Sequence, residues 1–147
     1  WVSIFLFAGM ISVSSAMDKT GAGKLLAKFC VDLLGGTPSP LFVAALLFLV
    51  SSFLTQFMSN TATATLLCPI GVAIAQQIGA SPHAVVMSIT IGIACAYATP
   101  VGTPPNTLVL GPGGYRFMDY VKVGTPLIFV SFIVSMIVIP IVWPFFK

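Results

Sequence analysis

Long apolar runs separated by short polar interruptions divide this chain into helix-sized segments. Residues 1–17 are apolar with small residues interspersed (Ala8, Gly9, Ser12, Ser14, Ser15, Ala16), the composition that lets membrane helices pack closely. They predict a transmembrane helix. Residues 18–34 alternate charge with apolar positions, placing Leu25, Leu26, Phe29 and Leu33 near one helical face and Lys24, Lys28 and Asp32 on another, as expected of a helix lying in the membrane interface. A Gly-Gly-Thr-Pro-Ser-Pro run, Gly35 to Pro40, breaks the chain. Residues 41–78 are apolar with a polar interruption in the middle: Thr55, Gln56, Ser59, Asn60, Thr61, Thr63 and Thr65. Ser81 and Pro82 read as an N-cap and first-turn proline opening a helix from His83 to about Tyr97. It stops at a second interruption, Ala98 to Asn106, which carries three prolines. A short apolar piece leads to the Gly111–Gly114 turn and the charged stretch Arg116 to Lys122. A final apolar span covers residues 123–146, with Trp143 as an interfacial anchor.

Composition turns this pattern into a membrane assignment. The chain has 147 residues, 58% of them hydrophobic and 6% charged, whereas about a quarter of residues are charged in soluble domains. No Asp, Glu, Lys or Arg occurs from Leu33 to Tyr115, a stretch long enough to cross a bilayer several times at about 20 residues per helix. An all-helical, polytopic membrane protein in the cell membrane is expected. The net charge of +3 comes from six basic residues beside apolar segments; without aromatic interleaving they read as juxtamembrane residues, not as a nucleic-acid surface. Cys30, Cys68 and Cys95 lack the spacing of a disulfide framework or a metal site and read as small fillers. His83, Asp18 and Asp119 read as interfacial residues. The chain opens on Trp1 without signal-peptide features, so it is expected to be a piece of something longer, with its first helix truncated.

The two interruptions carry the chemistry. Unpaired backbone groups in hydrocarbon cost several kcal/mol, so irregular backbone at membrane depth survives only where protein buries it or a wet cavity receives it. Paired interrupted segments point to a transport site near the midplane. Pro100 has no N–H, so a preceding helix leaves the Ala96 carbonyl without its partner; Pro104 and Pro105 do the same to Pro100 and Val101. Free carbonyls attract a cation. Thr103 followed by Pro104 reads as an N-cap and first helical residue, opening a half-helix whose free N–H groups and positive dipole end suit an anion. Ser59 and Asn60 repeat the logic for a helix starting near Thr61. No Arg or Lys lies near either interruption, so an anion there would be held by backbone and neutral side chains.

Ser59-Asn60-Thr61 resembles the Ser-Asn-Thr signature of the divalent anion:sodium symporter family, and Thr99 to Asn106 is similar to the Thr-Pro and Pro-Pro-Asn loop that follows it there. The opening segment and Gly114 to Gly124 are similar too. The resemblance implies two inverted repeats, of which this chain, carrying one Ser-Asn-Thr motif, is the second, the C-terminal half. Residues 41–78 become a re-entrant hairpin with its tip at Ser59 to Thr61, residues 82–115 a broken transmembrane helix, and the hairpin opens outward. It further implies that Ser59, Asn60, Thr61, Thr103, Pro104 and Asn106 contact a substrate carboxylate, and that sodium sits among Thr55, Ser59, Asn60, Ala98, Thr99 and Pro100. The implied partners are a small divalent anion, sodium as coupling ion with no other cofactor, the lipid bilayer, the N-terminal half, and a second copy in a homodimer. The isolated piece is not expected to transport.

Other readings stay open on sequence grounds. Residues 41–78 are just long enough for two full spans joined by an ordinary turn, and Ala98 to Asn106 reads as a plain interfacial loop if Thr107 to Gly111 lies outside the membrane. A sodium-independent anion exchanger and a non-transporting scaffold or half-size protein are the functional rivals. An intramembrane enzyme is disfavoured, because no His-Glu metal spacing, acid pair or nucleophile elbow is present.

Overall fold

A computed structural model describes Ala16, Lys19, Thr20 and residues 39–146. Apart from those three positions, the helices expected over 1–17 and 18–34 lie outside the described residues. All regular structure among the described residues is helical: α1 (Pro40–Leu54), α2 (Asn60–Gln77), α3 (Pro82–Ala94), α4 (Pro104–Leu110) and α5 (Phe117–Val142).

Local chemistry sets most of the boundaries. Ser39 caps α1, its hydroxyl oxygen accepting from the Phe42 N–H at 3.3 Å, and Pro40 follows in the first turn, where its missing N–H costs nothing. α2 ends at Gly79, whose φ of 67° lies in the left-handed region, and the Ala80 N–H reaches back to the Ala75 carbonyl at 2.9 Å. Ser81 and Thr103 stand at the N-cap positions of α3 and α4, each followed by proline. α5 starts at Phe117 and takes in the charged stretch, because the Asp119 carboxylate accepts the Arg116 N–H at 2.7 Å and so caps the helix.

The core lies between α1, α2 and α3, built from Val43, Leu47, Leu67, Ile74, Ala75, Val85, Ile89 and Ile93. α3 packs along α1 through small residues. The Ser88 hydroxyl donates to the Ala44 carbonyl at 2.6 Å, and a Cβ on Gly92 would stand 2.6 Å from the Phe48 carbonyl oxygen. Such a seam lets backbones approach where lipid supplies no hydrophobic drive between helices. Phe48 also meets Phe132 of α5 edge-to-face, ring centres 5.4 Å apart.

The outer surfaces are as apolar as the core. α1 exposes Leu41, Phe42, Leu46, Leu49, Val50 and Phe53, and α5 exposes Phe129, Val130, Ile133, Val134 and Ile137. A helix apolar on all sides belongs in lipid or in a larger protein. At 1.5 Å per residue, α1 is about 22 Å long, α2 about 27 Å, α3 about 20 Å and α4 about 10 Å, all short of the roughly 30 Å hydrocarbon core. α5, at about 39 Å, is the one described helix long and apolar enough to cross it.

Candidate functional site

The first interruption is the turn between α1 and α2. α1 stops at Leu54, and Thr55 to Met58 form the turn. Ser59 then takes an extended conformation (φ −66°, ψ 148°) and caps α2, its hydroxyl oxygen accepting from the Ala62 N–H at 3.2 Å. The first-turn N–H groups of Asn60 and Thr61 fall outside the helical ladder. The Thr55 hydroxyl donates to the Asn60 amide oxygen at 2.6 Å, and Thr55 is fully buried. Two expected sodium ligands, five residues apart in the chain, thus share one hydrogen bond.

The second interruption runs from Cys95, which caps the end of α3, to Thr103 before α4. Of the carbonyls expected to stand free, those of Ala96 and Pro100 have acquired partners, as has that of Thr99. The Asn106 amide nitrogen donates to the carbonyls of Ala96 at 2.9 Å and Thr99 at 3.0 Å, and the Thr107 hydroxyl donates to the Pro100 carbonyl at 2.6 Å. Because α3 ends at Ala94, these carbonyls lie outside any helical ladder, and side chains from the first turn of α4 supply their donors. A carbonyl oxygen has a second lone pair, so these positions remain able to face a ligand. The Thr99 hydroxyl accepts from the Gly102 N–H at 3.1 Å while donating across to the first interruption. Thr103 occupies the N-cap position of α4, and its side chain makes no capping hydrogen bond.

The two interruptions meet. Gln56, which sequence reasoning passed over as a ligand, accepts from the Ala98 N–H at 3.1 Å through Oε1 and donates through Nε2 to the carbonyls of Cys95 at 2.9 Å and Ser52 at 2.8 Å. Its own carbonyl receives the Thr99 hydroxyl at 2.8 Å. Gly102 lies against Thr55, leaving only 3.1 Å between the Thr55 carbonyl oxygen and a Cβ placed there. Thr55, Asn60, Ala98 and Thr99 are thus gathered at one junction. No hydrogen bond among the described residues links Ser59, Asn60 or Thr61 to Thr103 or Pro104. The signal that could have found Gln56 was an amide at mid-run in an apolar segment, a side chain too costly to bury unless hydrogen-bonded.

Two further features border the junction. The Ser52 hydroxyl oxygen, one turn before Gln56, is buried without a hydrogen-bond partner among the described residues. From the other side α5 presses in at Gly124, where a Cβ would stand 2.6 Å from the Ala98 Cα. A cavity of about 360 Å³ opens beyond this contact, lined by Tyr97, Tyr115, Asp119, Tyr120, Leu127 and neighbours. It is mostly apolar and includes none of the expected ligands, so the candidate site is the junction and not this cavity.

Comparison with known proteins identifies relatives. A family model described as citrate transporter matches residues 1–146. The chain is 41% identical over 145 residues to an uncharacterised transporter of Escherichia coli K12, covering 99% of this chain and 24% of that protein. It is 39% identical over 127 residues to an uncharacterised transporter of Synechocystis sp., covering 86% of this chain and 21% of the relative. The sodium-dependent dicarboxylate transporter SdcS of Staphylococcus aureus (strain USA300) is 31% identical over 144 residues, 98% of this chain and 27% of that protein. The chain spans about a quarter of the length of these relatives. With two interrupted helical segments joined at a charge-free junction and a family model matching almost end to end, the chain belongs to the citrate transporter family, the divalent anion:sodium symporters.

Proposed function

We propose that this chain forms one repeat of a multi-pass secondary transporter that moves small divalent anions, di- or tricarboxylates or sulfate, by sodium-coupled alternating access. The observation that carries the proposal is the junction itself. Irregular backbone from two separate segments is held together by Gln56, Thr99 and Gly102 within an otherwise apolar structure, where such backbone survives only when buried in protein or facing a wet cavity.

In this reading α1 and α2 form a re-entrant hairpin, for which their lengths, short of a full crossing, speak. α3 and α4 form a broken transmembrane helix. The open N–H groups at the start of α2, with Ser59, Asn60 and Thr61, receive a carboxylate, and Thr103 and Pro104 border it. Sodium takes the oxygens of Thr55 and Asn60, replacing their mutual hydrogen bond, together with Ser59 and the Ala98 to Pro100 carbonyls. Asn106, whose amide nitrogen braces the Ala96 and Thr99 carbonyls, shapes the loop. Its role shifts from anion contact to support. The N-terminal half of the transporter completes the site, and a second copy completes a homodimer. The Staphylococcus relatives, named sodium-dependent dicarboxylate transporters, support both the dicarboxylate and the sodium.

The test is sodium-dependent uptake of labelled succinate by the full-length protein carrying Ser59→Ala or Asn60→Ala. Uptake at the wild-type level in both variants would refute the site. One observation favours a sodium-independent exchanger instead: the Ala96, Thr99 and Pro100 carbonyls already have side-chain donors. Uptake that requires an anion on the opposite side and ignores sodium would establish that reading.

A further inference from the structure

We infer that Gln56 is the positioning residue that sets the register of the α1–α2 tip on the broken segment, and through it the affinity of the junction for both ion and anion. The inference rests on the reading of the junction given under Proposed function. Five hydrogen bonds converge on this one residue, which is 6% exposed.

The geometry gives each atom of the amide a separate task. Near the end of α1 the Gln56 N–H turns to the Phe53 carbonyl at 3.2 Å, leaving the Ser52 carbonyl without its helical donor, and the Gln56 side chain supplies that donor. The second Nε2 hydrogen goes to Cys95 at the end of α3, and Oε1 takes the Ala98 N–H two residues beyond the Cys95–Ala96 bend. The amide therefore ties together the last turn of α1, the cap of α3 and the start of the break. Thr55 and Asn60 ride on the same turn. Only a neutral group with two donors and an acceptor satisfies all three partners. A leucine has similar bulk and none of these functions; a glutamate has acceptors alone and brings a charge into a segment without a counter-charge.

The remaining ties survive loss of the side chain. The Thr99 hydroxyl bonds to the backbone carbonyl of Gln56, and Gly102 packs on the backbone of Thr55. Removing the amide should therefore loosen the register of tip and break while both stay assembled.

The experiment uses the full-length transporter in proteoliposomes, with labelled succinate and sodium as probes and hydrogen exchange of the peptide containing Ala98 as a second readout. In Gln56→Leu the half-saturating concentrations of both succinate and sodium should rise roughly tenfold or more, the cost of unpairing buried polar groups, with maximal rate within about a factor of two. The Ala98 peptide should exchange faster. Gln56→Glu should behave likewise at neutral pH and regain affinity as pH falls, since a protonated carboxyl again donates one hydrogen. Cys95 and Tyr97 are its neighbours on the broken segment, and wild-type protein assayed at the same pH values supplies the control that removes the protonation of succinate itself. Unchanged half-saturation with unchanged exchange overturns the inference, as does a lower maximal rate and membrane yield at unchanged half-saturation. Should wild-type uptake ignore sodium while Ala98 exchanges faster in Gln56→Leu, the functional reading fails and the positioning role stands. If Asn60→Ala abolishes uptake and both Gln56 variants equal wild type, the reverse holds.

Discussion

Replacing Gly124 by alanine tests whether the spanning helix braces the break. A Cβ at position 124 would stand 2.6 Å from the Ala98 Cα and from the Tyr97 carbonyl carbon, with the Tyr97 carbonyl oxygen closer still. The optimum between carbon atoms is about 3.5–4.0 Å, so the contact is about 1 Å too short. All three neighbours are backbone atoms, and no rotamer change relieves them. Either α5 moves outward or the Tyr97–Ala98 segment moves inward, toward Gln56. Overpacking of this kind costs about 1–3 kcal/mol. Alanine in the interior of α5 recovers about 1 kcal/mol of helix propensity, so the net loss of stability should be about 0–2 kcal/mol. Valine adds two methyl groups and should reach or exceed the upper end. Transport should suffer more than stability, because the segment displaced holds the Ala98 N–H and the Cys95 carbonyl against Gln56. The assay is thermal unfolding of full-length protein in detergent alongside uptake in proteoliposomes. Wild-type unfolding and uptake in both Gly124→Ala and Gly124→Val would refute the contact between α5 and the break.

Three further outcomes follow from single observations. Ser52→Ala removes a buried hydroxyl that has no partner among the described residues and should leave the unfolding temperature unchanged or slightly raised; a clear drop would mean that the rest of the transporter supplies its partner. Asn106→Asp turns a donor shared by two carbonyls into an acceptor facing both and should reduce uptake far more than Thr107→Val does, which comparison of the two uptake rates decides. Gly79→Ala forces a side chain into the left-handed region at φ 67° with open space around it; it should cost about 1–2 kcal/mol in unfolding and leave the half-saturating anion concentration alone.

Much of the helical framework was legible because its signals are local. Ser81-Pro82 and Thr103-Pro104 announce helix starts through the chemistry of the first turn, and Ser59 does so with its own hydroxyl. What distant contacts decide was not legible. The apolar run after His83 suggests a helix to Tyr97, yet α3 stops at Ala94. Nothing in the sequence there marks a stop, and the Cys95 carbonyl leaves the ladder for a glutamine 39 residues earlier in the chain. The same distance hid the role of Gln56. The proline argument assumed a helix running up to Pro100, whereas α3 stops at Ala94; the donors to the loop carbonyls of Ala96, Thr99 and Pro100, Asn106 and Thr107, sit on the far side of the break and read locally as helix-start residues. Asp119, read as an interfacial charge, also stands at the third position of α5 and caps the helix, a role that its basic neighbours obscured in the sequence.

The absence of Asp, Glu, Lys and Arg from Leu33 to Tyr115 has a consequence for how cargo is sorted by protonation. His83 stands at the start of α3, the end remote from the break, so among the described residues no histidine, carboxylate or basic side chain bonds to the junction. Backbone dipoles, amides and hydroxyls keep the same strength as the medium acidifies. The share of uptake that depends on acidity through this repeat then tracks the fraction of cargo carrying both of its negative charges, and two anions of equal shape but different ionisation constants should separate along the pH axis by the difference between those constants.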